Sequence, residues 1–143
     1  MRLSTKAEYA VRAMVDLSLN SAGRPVSLRE IASREEIPLN YLEQLFFRLK
    51  KGNIVRSIRG AAGGYLLARD SAQIMLSDII TTVEEPLNPV SCLDDDGCAR
   101  SSRCVTRRVW KGLGNRIREF LESVSLAELT RDAGAMLQGR SAE

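Results

Sequence analysis

The sequence contains no histidine, and only three of its 143 residues are cysteine. Without histidine there can be no Ser-His or Cys-His nucleophile, no histidine-ligated zinc and no histidine general base. This absence argues against an ordinary hydrolase, and we expect a protein that is not an enzyme. An odd number of cysteines also argues against a closed disulfide framework and favours metal or redox chemistry.

Long hydrophobic runs are absent as well. No apolar stretch approaches the ~18 residues that a membrane span requires, and the first residues lead directly into a charged amphipathic segment. We therefore expect a soluble cytoplasmic protein without a membrane partner.

Positive charge is concentrated in the first half of the chain. Residues 2–69 contain 12 Lys and Arg against 6 Asp and Glu, a net charge of +6, whereas residues 70–143 contain 9 against 12, a net charge of −3. Because phosphate neutralisation provides most non-specific DNA affinity, this asymmetry favours a polyanion-binding module joined to a segment with another role.

Hydrophobic periodicity predicts three helices in the first fifty residues, over 5–20, from 27 to about 34, and from about 40 to 51. We expect capping boxes at the first two, pairing Thr5 with Glu8 and Ser27 with Glu30. Residues 54–59 and 65–67 then read as strands around a glycine-rich turn at 60–64. Three helices followed by a hairpin indicate a winged helix-turn-helix, mostly α with a small β-hairpin wing.

The second half is predicted to hold a capped helix over 77–83, a polar loop, a long helix over 105–124 and a short last helix from Ser125, with 139–143 as a frayed tail. We divide the chain into a DNA-binding domain (1–70), a connecting helix (71–86), a metal-binding loop (87–104), and a dimerisation helix with the C-terminal helix (105–143). The long helix has an apolar stripe that needs a partner, and we favour a homodimer over packing against its own domain.

Two parts of the predicted fold would contact a double-stranded DNA operator. The third helix would enter the major groove and read bases with its N-terminal side chains, while the wing would bring arginine to the backbone or minor groove. The candidate DNA-binding residues are Asn40, Tyr41, Glu43, Gln44, Arg48, Lys51, Arg56, Arg59 and Gly60.

The cysteines Cys92, Cys98 and Cys104 are evenly spaced, with five residues in each interval. They lie in or beside a loop rich in Asp, Ser and Gly, whereas inert cysteines are usually buried singly in apolar runs. Thiolates are preferred ligands of iron-sulfur clusters and of zinc. The spacing therefore predicts a metal centre held by three sulfur atoms.

Several motifs together resemble the IscR/NsrR type of iron-sulfur transcription regulators, and IscR-type proteins more closely. The motifs are Met1–Lys6, Tyr41–Phe46, Arg59–Gly60, Gly63–Leu67 and the three cysteines. The resemblance implies a homodimer with a long dimerisation helix, and a cluster held by the cysteines plus a fourth, non-cysteine ligand. It also implies that Glu43 helps to discriminate operator classes and that cluster occupancy changes which sites are bound.

One departure concerns the fourth ligand. Where IscR-type proteins have a histidine, this chain has Arg107. The resemblance to NsrR-type proteins implies an alternative, in which Glu8 ligates the cluster of the partner subunit; its other role would be the capping box with Thr5. Asp94 to Asp96 or solvent are further alternatives. The cluster type stays open, with 2Fe-2S preferred to 4Fe-4S.

Two other functions are consistent with the same residues. The cysteines could hold structural zinc in a constitutive DNA-binding module, or the chain could regulate a partner enzyme by contact.

Overall fold

Helices dominate the computed structural model, which describes residues 3–84, 89–90, 93 and 103–142. The elements in those stretches are α1 (Thr5–Ser21), α2 (Leu28–Glu35), α3 (Leu39–Lys51), β1 (Val55–Ile58), β2 (Gly64–Leu67), a short 3-10 turn (Ser71–Gln73), α4 (Leu76–Val83), α5 (Val105–Ser123) and α6 (Leu126–Ala142). The predicted fold class, mostly helical with a small hairpin, is confirmed. No helix in the described stretches is long and apolar enough to cross a membrane.

Helix α1 is capped by Ser4, not by the residue that the sequence pattern indicates. The Ser4 hydroxyl accepts a hydrogen bond from the backbone N–H of Ala7 at 3.4 Å, and Thr5 is already helical. The predicted capping box between Thr5 and Glu8 is therefore wrong, because the extended backbone of Ser4 takes the cap position. Glu8 is exposed, and no hydrogen bond or ion pair joins its side chain to another described residue.

Helices α2 and α3 form the helix-turn-helix. The predicted capping box of α2 is confirmed, since Ser27 Oγ accepts from the Glu30 N–H at 3.2 Å and Glu30 Oε2 accepts from the Ser27 N–H at 2.9 Å. Helix α3 begins after Pro38 and ends at Gly52, and four large side chains of its inner face are fully or almost fully buried. These are Leu42, Leu45, Phe46 and Leu49. Burying side chains of this size stabilises the fold by about 1.5–3 kcal/mol each.

The wing is held against the helices by backbone pairing and one aromatic contact. Strands β1 and β2 are antiparallel, with Val55 opposite Leu67. Tyr65 donates to the carbonyl of Val26 at 2.8 Å and accepts from the Val26 N–H at 3.0 Å. Its ring also meets Phe46 edge-on, 5.0 Å between centroids. The hairpin is thereby fixed relative to both α2 and α3.

The junction between α5 and α6 belongs to the same core as the winged domain. The N–H of Leu76 donates to the carbonyl of Val124, and the N–H of Leu126 donates to the carbonyl of Ile74, both at 2.8 Å. Leu126 is completely buried in the core cluster. The end of α5 is therefore connected directly to the segment that links the wing to α4.

Helix α6 is longer than predicted. Its capping box is confirmed, because Ser125 and Glu128 exchange two hydrogen bonds of 3.2 Å. The helix then continues to Ala142, so the prediction of a short last helix with a frayed tail over 139–143 is wrong. One glycine, Gly139, costs a helix only about 1 kcal/mol relative to Ala, which is too little to end it.

An ion pair between a buried carboxylate and an exposed arginine joins α1 to α2. Asp16 is 4% exposed, and its carboxylate accepts three hydrogen bonds of 2.8–3.2 Å from Arg34. Glu35 lies beside this pair and also contacts Arg12, at 3.5 Å. Burial raises the pKa of Glu35 above its usual value; a hydrogen bond and repulsion from Asp16 add to the effect, and Arg12 opposes it.

We expect Glu35→Gln to make folding stability less dependent on pH. A carboxyl with a higher pKa in the folded state binds its proton more tightly there, so Glu35 costs stability as the pH rises from the unfolded pKa through the folded one. The urea midpoint of the wild type should therefore fall relative to that of Glu35→Gln as the pH rises above about 4, the pKa of an unperturbed glutamate. Glu30 provides the opposite control, because its pKa is lowered, chiefly by its hydrogen bond to the Ser27 backbone. The stability of Glu30→Gln should fall relative to that of the wild type as the pH rises toward neutral. Parallel midpoint curves for Glu35→Gln and the wild type would contradict this interpretation.

Candidate nucleic-acid interface and sensor site

The outward face of α3 is polar and uncovered. Asn40, Glu43, Gln44 and Lys51 are all exposed, on the side of the helix opposite its buried leucines. They share this side because residues three, four and seven positions apart lie on one face of an α-helix. Their amide, carboxylate and ammonium groups can pair with base edges and phosphates of a major groove.

Two of the α3 residues that were predicted to contact DNA have interaction partners within the protein. Tyr41 is half-buried and packs edge-on against Tyr9, 5.6 Å between ring centroids. Arg48 donates from Nη1 to the carbonyl of Val83 at 2.9 Å, at the C-terminal end of α4. Both residues therefore also stabilise the packing of α3, a role that the helical pattern alone does not indicate.

The wing presents two free guanidinium groups. Arg56 on β1 and Arg59 at the tip are exposed, and neither makes a hydrogen bond or ion pair with any residue that the structure describes. Gly60 beside them has a φ of +116°, a conformation that favours glycine. A Cβ on Gly63 would lie 2.2 Å from the Ile58 carbonyl oxygen, so the turn closes only with glycine there.

Two exposed side chains of α3 are missing from the predicted set. Lys50 is exposed near the end of the helix. Phe47 is 61% exposed, and Lys51 Nζ lies 5.1 Å from the centroid of its ring. Spacing could have found Phe47, since it lies three residues after Gln44 and four before Lys51.

Cys104 is the predicted metal ligand that the structure describes; Cys92 and Cys98 lie outside the described residues, as does most of the predicted loop. Cys104 is half-buried at the position just before α5, with an extended backbone. Its Sγ lies 3.0 Å from the hydroxyl Oγ1 of Thr106. Within the described stretches no group of three or more Cys, Asp or Glu side chains comes together as a metal site.

The residue that replaces the expected histidine is buried. Arg107 is 9% exposed, on the first turn of α5. Together with Arg108 and Lys111, it places basic groups around the same end of the helix as Cys104. A guanidinium stays protonated in proteins and has no free lone pair, so Arg107 contributes positive charge there and not a metal ligand.

The apolar stripe of α5 is largely uncovered. Val105 is 80% exposed, Val109 61%, Leu113 44% and Phe120 64%. Near the other end of this helix, Phe120 and Leu121 line a cavity with α1 and α4. Glu8 on α1 lines the same cavity, and no described cysteine does.

Comparison with known proteins identifies the family to which the chain belongs and the function of that family. Residues 3–132 match the family model described as Rrf2, iron-dependent transcriptional regulator. The chain belongs to the Rrf2 family. The HTH-type transcriptional regulator IscR of Sodalis glossinidius is 50% identical over 129 residues, which cover 90% of this chain and 78% of that protein.

Solved structures agree with the Rrf2 assignment. IscR of T. potens has a TM-score of 0.77 and 39% identity, covering 93% of this chain and 88% of that one. CymR, the global cysteine regulator of B. subtilis, also has a TM-score of 0.77, with 34% identity and 92% and 97% coverage. The resemblance to IscR-type regulators and the winged-helix fold are confirmed. This Rrf2 protein is a DNA-binding transcription regulator and not an enzyme.

Proposed function

We propose that this regulator is a homodimer that senses iron-sulfur cluster status through Cys92, Cys98 and Cys104 and changes its binding to a double-stranded operator accordingly. The observation that carries the proposal is the position of Cys104. Its half-buried thiol begins the longest helix, so a ligand on its sulfur would act directly on α5.

The donor chemistry around Cys104 fits such a cluster. Thiolates are the standard protein ligands of iron-sulfur clusters. Once the Cys104 thiol is deprotonated, the Thr106 hydroxyl at 3.0 Å can donate a hydrogen bond to its sulfur. The nearby basic residues favour an anionic centre. When bound, the cluster supplies a centre whose presence depends on iron and sulfide supply and on exposure to oxidants or nitric oxide. We favour 2Fe-2S, with 4Fe-4S as the alternative.

We propose Glu8, from the partner subunit, as the fourth ligand. Arg107 stands where the related proteins have histidine and cannot serve. Glu8 has an exposed carboxylate with no capping task, since Ser4 caps α1. It also lines the groove beside α5, where a second subunit would pack. Asp94 to Asp96 or solvent are the other candidates for this position.

The homodimer rests on the uncovered stripe of α5. An exposed row containing Val105, Val109, Leu113 and Phe120 is unfavourable in water and is typical of an interaction surface. A second copy presents the same row, and a two-fold pair would place two α3 helices at half-sites about 34 Å apart or a multiple of it.

Residues of this chain can transmit a change at the loop to the DNA-binding helices. Cys104 precedes the start of α5, and the other end of α5 is hydrogen-bonded to the segment between wing and α4. Arg48 in turn connects α3 to the end of α4. A shift of α5 would therefore change the distance between the two α3 helices of the dimer.

Anaerobic purification with ample iron tests the proposal. The protein should be coloured, contain iron and acid-labile sulfide, and sediment as a dimer. Colourless protein that contains zinc would instead support a constitutive DNA-binding module. A coloured protein with no salt-dependent binding to any operator would favour regulation of a partner enzyme by contact.

Two substitutions should separate DNA affinity from sequence preference. Arg59→Ala removes a free cation from the wing tip, so binding should weaken for all sequences and the salt dependence should decrease by about one charge. Gln44→Ala removes a base-reading amide and should relax preference at one position, at a cost of about 1–3 kcal/mol. Binding isotherms at several salt concentrations, on matched and mutated operators, measure both effects. The same change in both variants would contradict the division of labour.

A further inference from the structure

Phe47 lies at the centre of the outward face of α3. At 100° per residue, its direction differs by about 150° from the mean direction of the buried Leu42, Leu45, Phe46 and Leu49. It is one turn beyond Glu43 and Gln44 and one turn before Lys51, so the base-reading and phosphate-reading side chains flank it on the same face.

The ring of Phe47 is largely uncovered by the part of the chain that the structure describes. It is 61% exposed, and Lys51 Nζ lies 5.1 Å from its centroid. Between residues 5 and 84 it is the only large hydrophobic side chain that is exposed. The other exposed ones among the described residues are Leu3 and members of α5 and α6. In a winged helix-turn-helix the outward face of α3 is the one that meets DNA, so DNA would be the partner that covers Phe47.

A phenyl ring can recognise one feature of a base edge in the major groove. It has no hydrogen-bond donor or acceptor for the edges that Gln44 and Glu43 can read, whereas the C5 methyl of thymine is an apolar group that phenylalanine contacts. From Gln44 to Phe47 the helix rises about 4.5 Å, close to one base step of about 3.4 Å.

We propose that Phe47 is a specificity-determining residue that contacts a thymine methyl group in each operator half-site. Lys51 restrains the ring through a cation-π contact and leaves its ammonium free for a phosphate. The inference rests on the DNA-binding function and adds a base preference to it. Because Phe47 is exposed, its replacement leaves the core of the domain intact.

The test uses the full chain and a random double-stranded DNA library. Sequences selected by the wild type define an operator, in which each thymine is replaced in turn by deoxyuridine, which lacks only the methyl group. For the wild type, deoxyuridine should weaken binding about fourfold at one position per half-site, the effect of losing one buried methyl. Phe47→Ala should bind the operator more weakly and show no deoxyuridine effect there, whereas Phe47→Leu should keep part of it. Circular dichroism checks that each variant is folded.

The outcomes separate this inference from the function on which it rests. A wild type that selects no sequence would mean that operator binding itself fails. A wild type that selects an operator but tolerates deoxyuridine everywhere would overturn the role of Phe47. Equal deoxyuridine effects in the wild type and Phe47→Ala, or an equal loss of affinity for operator and random DNA in Phe47→Ala, would overturn it as well.

Discussion

Anaerobically purified Cys104→Ala protein should lose essentially all visible absorbance and bound iron while remaining a dimer. The substitution removes one of three thiolates, and the remaining oxygen donors bind iron-sulfur clusters poorly. The thiol is only half-buried and begins α5 without a side-chain cap, so the fold should tolerate alanine. Absorption spectra with iron and sulfide analysis measure the loss, and sedimentation measures the dimer.

Thr106→Val is the matched control for Cys104→Ala. It keeps the thiolate and the shape of the neighbouring side chain but removes the hydroxyl 3.0 Å from the sulfur. Colour should be retained, and the reduction potential should become more negative because one hydrogen bond to sulfur is lost. Glu8→Ala should give a coloured protein that loses iron faster. A fully coloured Cys104→Ala protein would refute the proposed ligand set.

Gly64→Ala should destabilise the protein by about 3 kcal/mol, lowering the melting temperature by about 10 °C, and should also weaken DNA binding. A Cβ at this position would lie 2.4 Å from the carbonyl oxygen and 2.5 Å from the carbonyl carbon of Val26. These are backbone atoms of the bridge between Val26 and Tyr65, so the clash separates the wing from α2. Thermal unfolding and operator titration measure the two effects.

Gly139→Ala is the control for Gly64→Ala. No atom lies within 4 Å of a Cβ at Gly139, and the residue is exposed inside α6. Alanine there should stabilise the protein by about 0.5–1 kcal/mol. If Gly64→Ala unfolds at the wild-type temperature, the close approach between wing and α2 is not a constraint on the fold.

Much of the fold could be predicted because its helices carry local signals. The boxes of Ser27 with Glu30 and of Ser125 with Glu128 are both present, and α3 ends at Gly52 as expected. The predicted capping box between Thr5 and Glu8 is absent because Ser4, which is also a good cap residue, lies one position earlier and caps the helix. Local rules identify a helix start to within one or two residues and do not decide between neighbouring cap residues.

The candidate DNA interface was predictable in outline only. Periodicity separates the buried face of α3 from the exposed one, which places Asn40, Glu43 and Gln44 correctly on the outside. It could not show that Arg48 bonds to the carbonyl of Val83, because that contact joins residues 35 positions apart. The same periodicity also places Phe47 on the exposed side, but its apolar ring carries none of the polar groups shared by the residues of α3 predicted to contact DNA.

The hydrogen bonds that join Ile74 and Leu76 to the α5–α6 junction set a lower limit on how short this protein can be made. A chain ending just after the hairpin would lack Ile74, Ile79 and Leu126, which all belong to the buried core. The sides of α1 and α3 that pack against α4 would then face water, at a cost of about 25 cal/mol for each Å² of apolar surface. The minimal autonomous DNA-binding unit thus includes residues from both ends of the sequence, and a fragment limited to residues 1–70 would be prone to aggregate.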